Sequence, residues 1–348
     1  MTVNESESRG AASAPARANQ MKALLIQFGQ LGDAVLALPA ALALREQVAH
    51  AEWTVLAPRG AHAIFEMAGF RDVWIADRVR WKNAPWTAAV QVPALVLRLR
   101  RQRFELSVDL HSYKETNLLA WCAGIRRRVA MLRPTRSWPW LITHKPRPDD
   151  PDAPILDRYC EVVAALGVVV RQRRPILVPP AAAQERVRAM FAAWAAAAGN
   201  TPILGICPGA GHPGRRWPAE RFAALAGMAA GHARRVAVFA GPEEPEALLA
   251  PLARLAHVQI WRGLSIPELA AALAECRVVV ANATGPSHIA AAVGTRVLAL
   301  GEIPAFDPVG RTPEHVVVVR ARGKVTNITV AEAAAALDQL WTSAPAAS

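Results

Sequence analysis

The sequence predicts an α/β protein of two halves, each a parallel sheet wrapped by helices. Short apolar runs alternate with helix-period segments over most of the 348 residues. Several runs end in Gly- or Asn-containing loops that open a helix, and a proline-rich break divides the chain near its middle. Parallel strands need crossover connections, so this alternation favours parallel sheets over antiparallel ones.

In the first half, Ala23–Gln27 reads as a strand, followed by the glycine turn Gly29–Asp33 and a helix from Ala34 to Val48, apolar at Val35, Leu38 and Leu42. Trp53–Ala57 and Val73–Ile75 are further strands, and Val90–Arg101 is a helix feeding the strand Leu106–Leu110. Pro148–Pro154 is a polar break before a helix at Leu156–Leu166, and Arg171–Pro180 holds the linker. The second half repeats the pattern: strands at Ile203–Cys207, Arg235–Ala240, Val278–Ala281 and Arg296–Leu300, and helices at Ala219–Gly227, Ile266–Glu275 and Ser287–Val293. Residues 1–20 read as a disordered leader without the apolar stretch of a secretory signal, and Thr342–Ser348 as a loose end. The domains expected are 21–178 and 179–342.

No window supplies the roughly 20 uninterrupted apolar residues of a membrane span. Cys122, Cys160, Cys207 and Cys276 lie far apart, without metal-binding spacing, as expected of buried thiols in a reducing cytoplasm. The formal net charge of +12 admits anionic partners: nucleic acid, membrane surfaces or acidic small molecules. Positive charge gathers in the first half at Arg98–Arg103, Arg126–Arg136, Lys145–Arg147 and Arg171–Arg174, beside Trp81, Trp86, Trp138 and Trp140. Arg with Trp suits a membrane interface, whereas no recognised nucleic-acid module accompanies these runs.

Chemistry concentrates in the loops. Asn282–His288 lies between a buried strand and an Ala-rich helix. It places the Thr284 hydroxyl, the bare backbone of Gly285, Pro286 at a first helical position and His288 around a helix N-terminus suited to phosphate. Pro208–Trp217 adds glycines with Arg215 and Arg216, whose forked donors match a diphosphate. Gly241-Pro-Glu-Glu244 offers Glu243 or Glu244 to ribose hydroxyls. At the matching edge of the first half stands Asp33, which reads either as a base for an attacking hydroxyl or as a helix N-cap before Ala34.

Taken in order, these segments resemble the ADP-heptose lipopolysaccharide heptosyltransferases of glycosyltransferase family 9. The likeness runs from about Met21 to Leu340 through Leu31–Ala40, Val108–His111 with Ala123–Arg126, Pro208–Ala210 with Arg215–Phe222, Gly241–Glu244, and Asn282–His288 with Ala290–Thr295. It implies a GT-B fold, two Rossmann-like domains facing a central cleft, the first binding acceptor and the second nucleotide sugar. It implies inverting heptose transfer with no cofactor and no metal, from ADP-heptose to the Kdo-bearing lipid A core. The enzyme would be cytoplasmic and peripheral on the inner face of the inner membrane. Asp33 matches the family's base, Arg215 or Arg216 its phosphate grip, Glu244 or Glu243 its nucleoside contact, and Thr284, Gly285 and His288 its phosphate site. Ala283 stands where the family usually carries an acidic residue, and Leu300–Pro308 is longer than the family's corresponding segment. A relative with another donor or acceptor, or a non-catalytic nucleotide-sugar-binding protein, is the alternative.

Overall fold

The computed structural model describes residues 20–76, 78–198, 201–230, 235–242, 244–301, 316–321 and 323–342. The leader up to residue 19, the last six residues, Glu243 and most of Leu300–Pro308 lie outside them.

The first sheet contains β1 (Met21–Ile26), β2 (Ala51–Ala57), β3 (Asp72–Ile75), β4 (Leu106–Asp109) and β5 (Arg127–Ala130). Its helices are α1 (Leu31–Gln47), α2 (His62–Met67), α3 (Arg78–Asn83), α4 (Pro85–Gln102) and α5 (Lys114–Cys122). The strands pair in parallel in the order β3-β2-β1-β4-β5. Two helices follow, α6 (Ile155–Ala164) and α7 (Ala181–Ala198).

The second sheet contains β6 (Ile203–Cys207), β7 (Arg235–Ala240), β8 (Val258–Arg262), β9 (Val278–Asn282), β10 (Arg296–Gly301) and β11 (Val316–Arg320). Between and after these run α8 (Ala219–Ala230), α9 (Glu246–Ala253), α10 (Ile266–Ala274), α11 (Gly285–Ala292) and α12 (Val330–Thr342). The strand order is β11-β10-β9-β6-β7-β8, again parallel throughout. With the strands of each half counted from its own start, both sheets carry the doubly wound order 3-2-1-4-5, which the second extends by a sixth strand.

Successive side chains along the strands enter opposite cores with period two. In β1, Ala23 and Leu25 enter a central core and Leu24 and Ile26 an outer one. In β9, Val279 and Ala281 enter the same central core, while Val278 and Val280 face a core under α8 and α12. Both faces of each sheet are covered, so these strands read as continuous apolar runs. The central core is shared: α1 packs on α11 and α2 on α10, joining the halves.

Several boundaries differ from the sequence reading. The first helix begins at Leu31, not Ala34, and Asp33 is its third residue rather than its N-cap. Gln30 caps the helix, and the Asp33 carboxylate accepts the Gln30 N–H at 2.7 Å. The helix expected from Ser287 begins at Gly285 behind Thr284, so Pro286 occupies the second helical position instead of the first. The edge strands β5 and β8 escape the apolar-run criterion because Arg127, Arg128 and the half-exposed β8 dilute their pattern.

Candidate functional site

In an open parallel sheet, the chain leaves the first and fourth strands in opposite directions, opening a crevice at their carboxyl ends. Here that edge carries Gly29–Asp33 after β1 and Leu110–Tyr113 after β4. The corresponding edge of the second sheet carries Pro208–Trp217 after β6 and Ala283–Gly285 after β9. The two edges meet through α1 and α11. A Cβ at Gly32 would lie 2.6 Å from Cδ2 of His288, and one at Gly285 would lie 2.9 Å from Cδ2 of Leu31. No side chain fits at either position, so the helices adjoin at their N-terminal turns.

Asp33 sits at this junction. Gly29 leaves room for it, since a Cβ there would overlap the Asp33 side chain. Burial raises the Asp33 pKa. The Gln30 N–H works against that rise, as do the charges of Arg133, Arg158 and, from the second half, Arg215. A carboxyl whose pKa is raised by burial, with surrounding cations opposing the rise, suits proton acceptance.

Behind Asp33 lies a buried polar layer. The Tyr159 hydroxyl, wholly buried, sits 3.2 Å from Nδ1 of His111, and its pKa is raised well above the usual phenol value by burial and by Asp33. Arg133 donates to the His111 carbonyl at 3.0 Å, while Arg158 grips Asp149 with Nε and Nη2 at 2.7 and 2.6 Å. Burial and then Arg133, Arg136, Arg158 and Arg78 lower the His111 pKa to about 3, so the ring is neutral at physiological pH. Asp109 ties the loop together, accepting from the Ser112 N–H at 2.7 Å and from the Thr116 hydroxyl. Burial pushes its pKa up to about 6. Ser112 adopts a positive φ of 49°, a conformation that L-residues occupy only when their surroundings hold them there. Arg78 stacks over Tyr113 at 3.8 Å.

On the second edge, Asn282 is a strut. Its side chain is wholly buried; its Oδ1 accepts the Trp217 N–H at 2.9 Å, and its Nδ2 donates to the carbonyls of Pro208 at 2.7 Å and Gly209 at 3.3 Å. One amide thus fixes both ends of the loop that carries the arginines. The two adjacent arginines are disposed differently. Arg216 turns back onto the Ala210 carbonyl at 3.0 and 3.2 Å, whereas Arg215 is exposed and its charge is among those that oppose the rise in the Asp33 pKa.

Glu244 lies across Gly209, where a Cβ would overlap its carboxylate. Its Oε2 is buried without a hydrogen-bond partner among the described residues, and its pKa is raised by burial, opposed by the Gly241 backbone, Arg216 and Arg262. Thr284 caps α11 reciprocally with Ser287, and its hydroxyl donates to the Asn282 carbonyl at 3.3 Å. His288 is buried against Gly32, at the seam between the halves. Ala283 is half-buried and abuts Gly301, with 2.7 Å between its Cβ and one placed on that glycine.

Asp33, Arg215, Thr284, Gly285, Pro286 and His288 therefore converge at one junction, with Arg216 and Glu244 forming a supporting pair behind Gly209. The sequence reading missed Arg133, Asp149, Arg158 and Tyr159, which reach the site only through the fold. A separate hollow of about 420 Å³ lined by Arg188, Phe191, Arg235 and Glu275 opens beside Ile203, at the opposite, amino end of β6. Among the described residues, no group of three or more His, Cys, Asp and Glu is placed to hold a metal ion, and no helix is long and apolar enough to cross a membrane.

Two doubly wound sheets whose carboxyl edges face one another define the GT-B architecture. The fold accords: the glycosyl transferase family 9 structure from Veillonella parvula superposes with a TM-score of 0.80 at 18% identity, covering 94% of this chain and 99% of that one. E. coli ADP-heptose lipopolysaccharide heptosyltransferase II gives 0.76 at 21% identity, covering 92% and 98%. In sequence, lipopolysaccharide heptosyltransferase 2 of Salmonella typhimurium is 27% identical over 224 residues, 60% of this chain and 64% of that relative, so the match spans less than two thirds of its length. The model of glycosyltransferase family 9 (heptosyltransferase) matches residues 92–302, more than half of the chain, and the protein belongs to that family.

Proposed function

We propose that the protein is an inverting, metal-independent heptosyltransferase that moves heptose from ADP-heptose to the Kdo/heptose inner core of lipopolysaccharide. The observation that carries this reading is the close approach of the N-terminal turns of α1 and α11, which sets Asp33 beside the start of α11 with the charge of Arg215 acting on it. Residues 179–342 bind the donor. Its diphosphate lies at the N-terminus of α11, contacted by Thr284, Gly285 and His288 beside Pro286, and Arg215 neutralises the charge that grows on the β-phosphate. Arg216 holds the loop, and the unpartnered Oε2 of Glu244 accepts from ribose hydroxyls. Residues 21–178 bind the acceptor, an anionic glycolipid whose negative groups face Arg78, Arg133 and Arg136.

The acceptor hydroxyl attacks the anomeric carbon on the face opposite the nucleotide. Its proton passes to a carboxylate oxygen of Asp33, the bond from the anomeric carbon to the β-phosphate oxygen breaks, and ADP leaves with the electron pair. A raised Asp33 pKa places the acid limb of kcat/KM above the ordinary aspartate range, with activity lost as pH falls through it. A lipid-borne acceptor sets the reaction at the inner face of the inner membrane.

Ala283 favours a second reading, in which the donor is a different nucleotide sugar. A thermal-shift panel of nucleotide sugars, followed by turnover with the best binder on Kdo-lipid A, separates the two. Stabilisation and ADP release specific to ADP-heptose support the first. Preference for another donor selects the second, and binding without turnover on any acceptor overturns catalysis.

A further inference from the structure

The net charge is not spread over the molecule. Residues 78–148 contain fifteen Lys and Arg against three Asp and Glu, a formal +12 equal to that of the whole chain, so everything outside this segment balances. The segment runs from α3 through α4, β4, α5 and β5 to the loop after the 3₁₀ turn Pro139–Leu141. Of its three acids, Asp109 is buried and Glu115 pairs with Arg78 at 3.4 Å, leaving Glu105 at the foot of β4.

The same segment exposes apolar side chains where solvent-facing helices usually carry polar ones. On α4, Trp86 is 73% exposed, Val90 72% and Leu97 54%. They stand four and seven residues apart, on one stripe of the helix. The opposite side of α4 is already buried, through Leu95, Val96 and Leu99, in the outer core of the first sheet. Leu119, Ala120 and Ala123 of α5 and its end enter that same core, so both helices cover one face of the sheet. Leu118 and Trp121 of α5 are exposed, as is Trp140 in the 3₁₀ turn packed on α5. Exposed Arg100, Arg101, Arg126 and Arg127 lie among them.

We propose that this outer face, formed by α4, α5 and Trp140, docks the protein onto an anionic lipid bilayer, with α4 lying in the plane of the headgroups. The chemistry selects this occupant. Tryptophan and aliphatic side chains gain by entering the boundary between headgroup and acyl chain, while the long arginine stems reach phosphate from the same depth. A protein interface core is depleted of charge, and a second copy would set one strongly positive face against another. Anionic headgroups supply both the missing counter-charge and the apolar layer beneath it. The inference rests on the proposed lipid-borne acceptor for its setting only; the surface is measured without either substrate.

The full chain is floated with vesicles of phosphatidylcholine alone and of phosphatidylcholine mixed with phosphatidylglycerol, as wild type, as the triple variant Trp86→Ser/Val90→Ser/Leu97→Ser, and as Arg100→Glu/Arg101→Glu. The wild type floats with the anionic vesicles and is released by high salt, while each variant loses at least tenfold in partitioning and keeps its melting temperature. Turnover on a soluble, delipidated acceptor is unchanged in both variants. Equal partitioning of the variants and the wild type overturns the proposal. So does loss of self-association in the triple variant with vesicle binding intact, which assigns the face to a second copy, or retention of duplex DNA or RNA by a wild type that ignores vesicles. Vesicle binding by a wild type that turns over no acceptor keeps the surface and removes the transfer reaction instead.

Discussion

At the end of β4 the first half buries two ionisable groups, Asp109 and His111, among arginines. At the end of β9, the equivalent strand of the second sheet, the chain buries the neutral amide of Asn282. Both residues organise a loop at the same edge of the same strand order, yet by different means. Asp109 gathers the Ser112 N–H and the Thr116 hydroxyl as a charge acceptor with its pKa raised to about 6. Asn282 accepts once and donates twice, with no titration. In the proposed reaction the first edge is where a proton moves and an acidic acceptor is held, and charge is concentrated there. The second needs a rigid frame for one exposed cation.

The largest expected effect falls on the first edge. Asp33→Asn removes the base and should lower kcat by about 10²–10⁴ while donor affinity, read by calorimetry, stays within a few fold. A fully active Asp33→Asn enzyme would end the assignment.

Next comes the second edge. Arg215→Ala, losing a charge-assisted contact of about 1.5–3 kcal/mol, should reduce kcat/KM for the donor by roughly 10- to 100-fold. Arg216→Ala should act mainly through loop order and cost less; the reverse ranking would overturn the register.

The seam is tested by Gly32→Ala, whose Cβ would meet His288 at 2.6 Å. Overpacking of this kind costs about 1–3 kcal/mol, seen as a lower melting temperature together with weaker donor binding. Asn282→Ala leaves the Trp217 N–H without its acceptor and should cost about 1–3 kcal/mol, with a raised donor KM.

The smallest effect sharpens the comparison between the edges. The folded pKa of Asp109, about 6, exceeds its unfolded value, so its contribution to stability grows as pH falls toward 4. The folded pKa of His111, about 3, lies below its unfolded value, so its contribution shrinks over the same range. The two oppose each other. Asp109→Asn leaves His111 alone, and chemical denaturation should then show stability falling more steeply below pH 6.5 than in wild type. Asn282→Ala should leave that slope untouched.

Legibility in the sequence followed the same division. Strands buried on both faces, such as β1, β6 and β9, stand out as apolar runs, and the loops after them are short and rich in glycine or asparagine. Strand β5 is half arginine, and α7 is an alanine run with little contrast between its faces, so neither announces itself. Asp33 stands out in the sequence as a candidate, but its place in the helix does not, because Gln30 is an uncommon N-cap and only the chain geometry shows the carboxylate folding back to it. The choice between Arg215 and Arg216 depends on which way a loop turns. Arg133, Arg158 and Tyr159 follow no local spacing with Asp33, and tertiary packing alone brings them beneath it.

The adjoining of α1 and α11 at Gly32 and Gly285 has one more consequence. Both helices begin there, so two like electrical poles are pressed together with Arg215 nearby. Asp33 offsets one pole, and the first turn of α11 holds no acidic residue. Under the proposed donor placement, a diphosphate arriving between them would relieve that mutual repulsion as it binds, so the donor would act as mortar between the halves. Occupancy of the second half would then set the working posture of the proposed base in the first, before any acceptor has arrived.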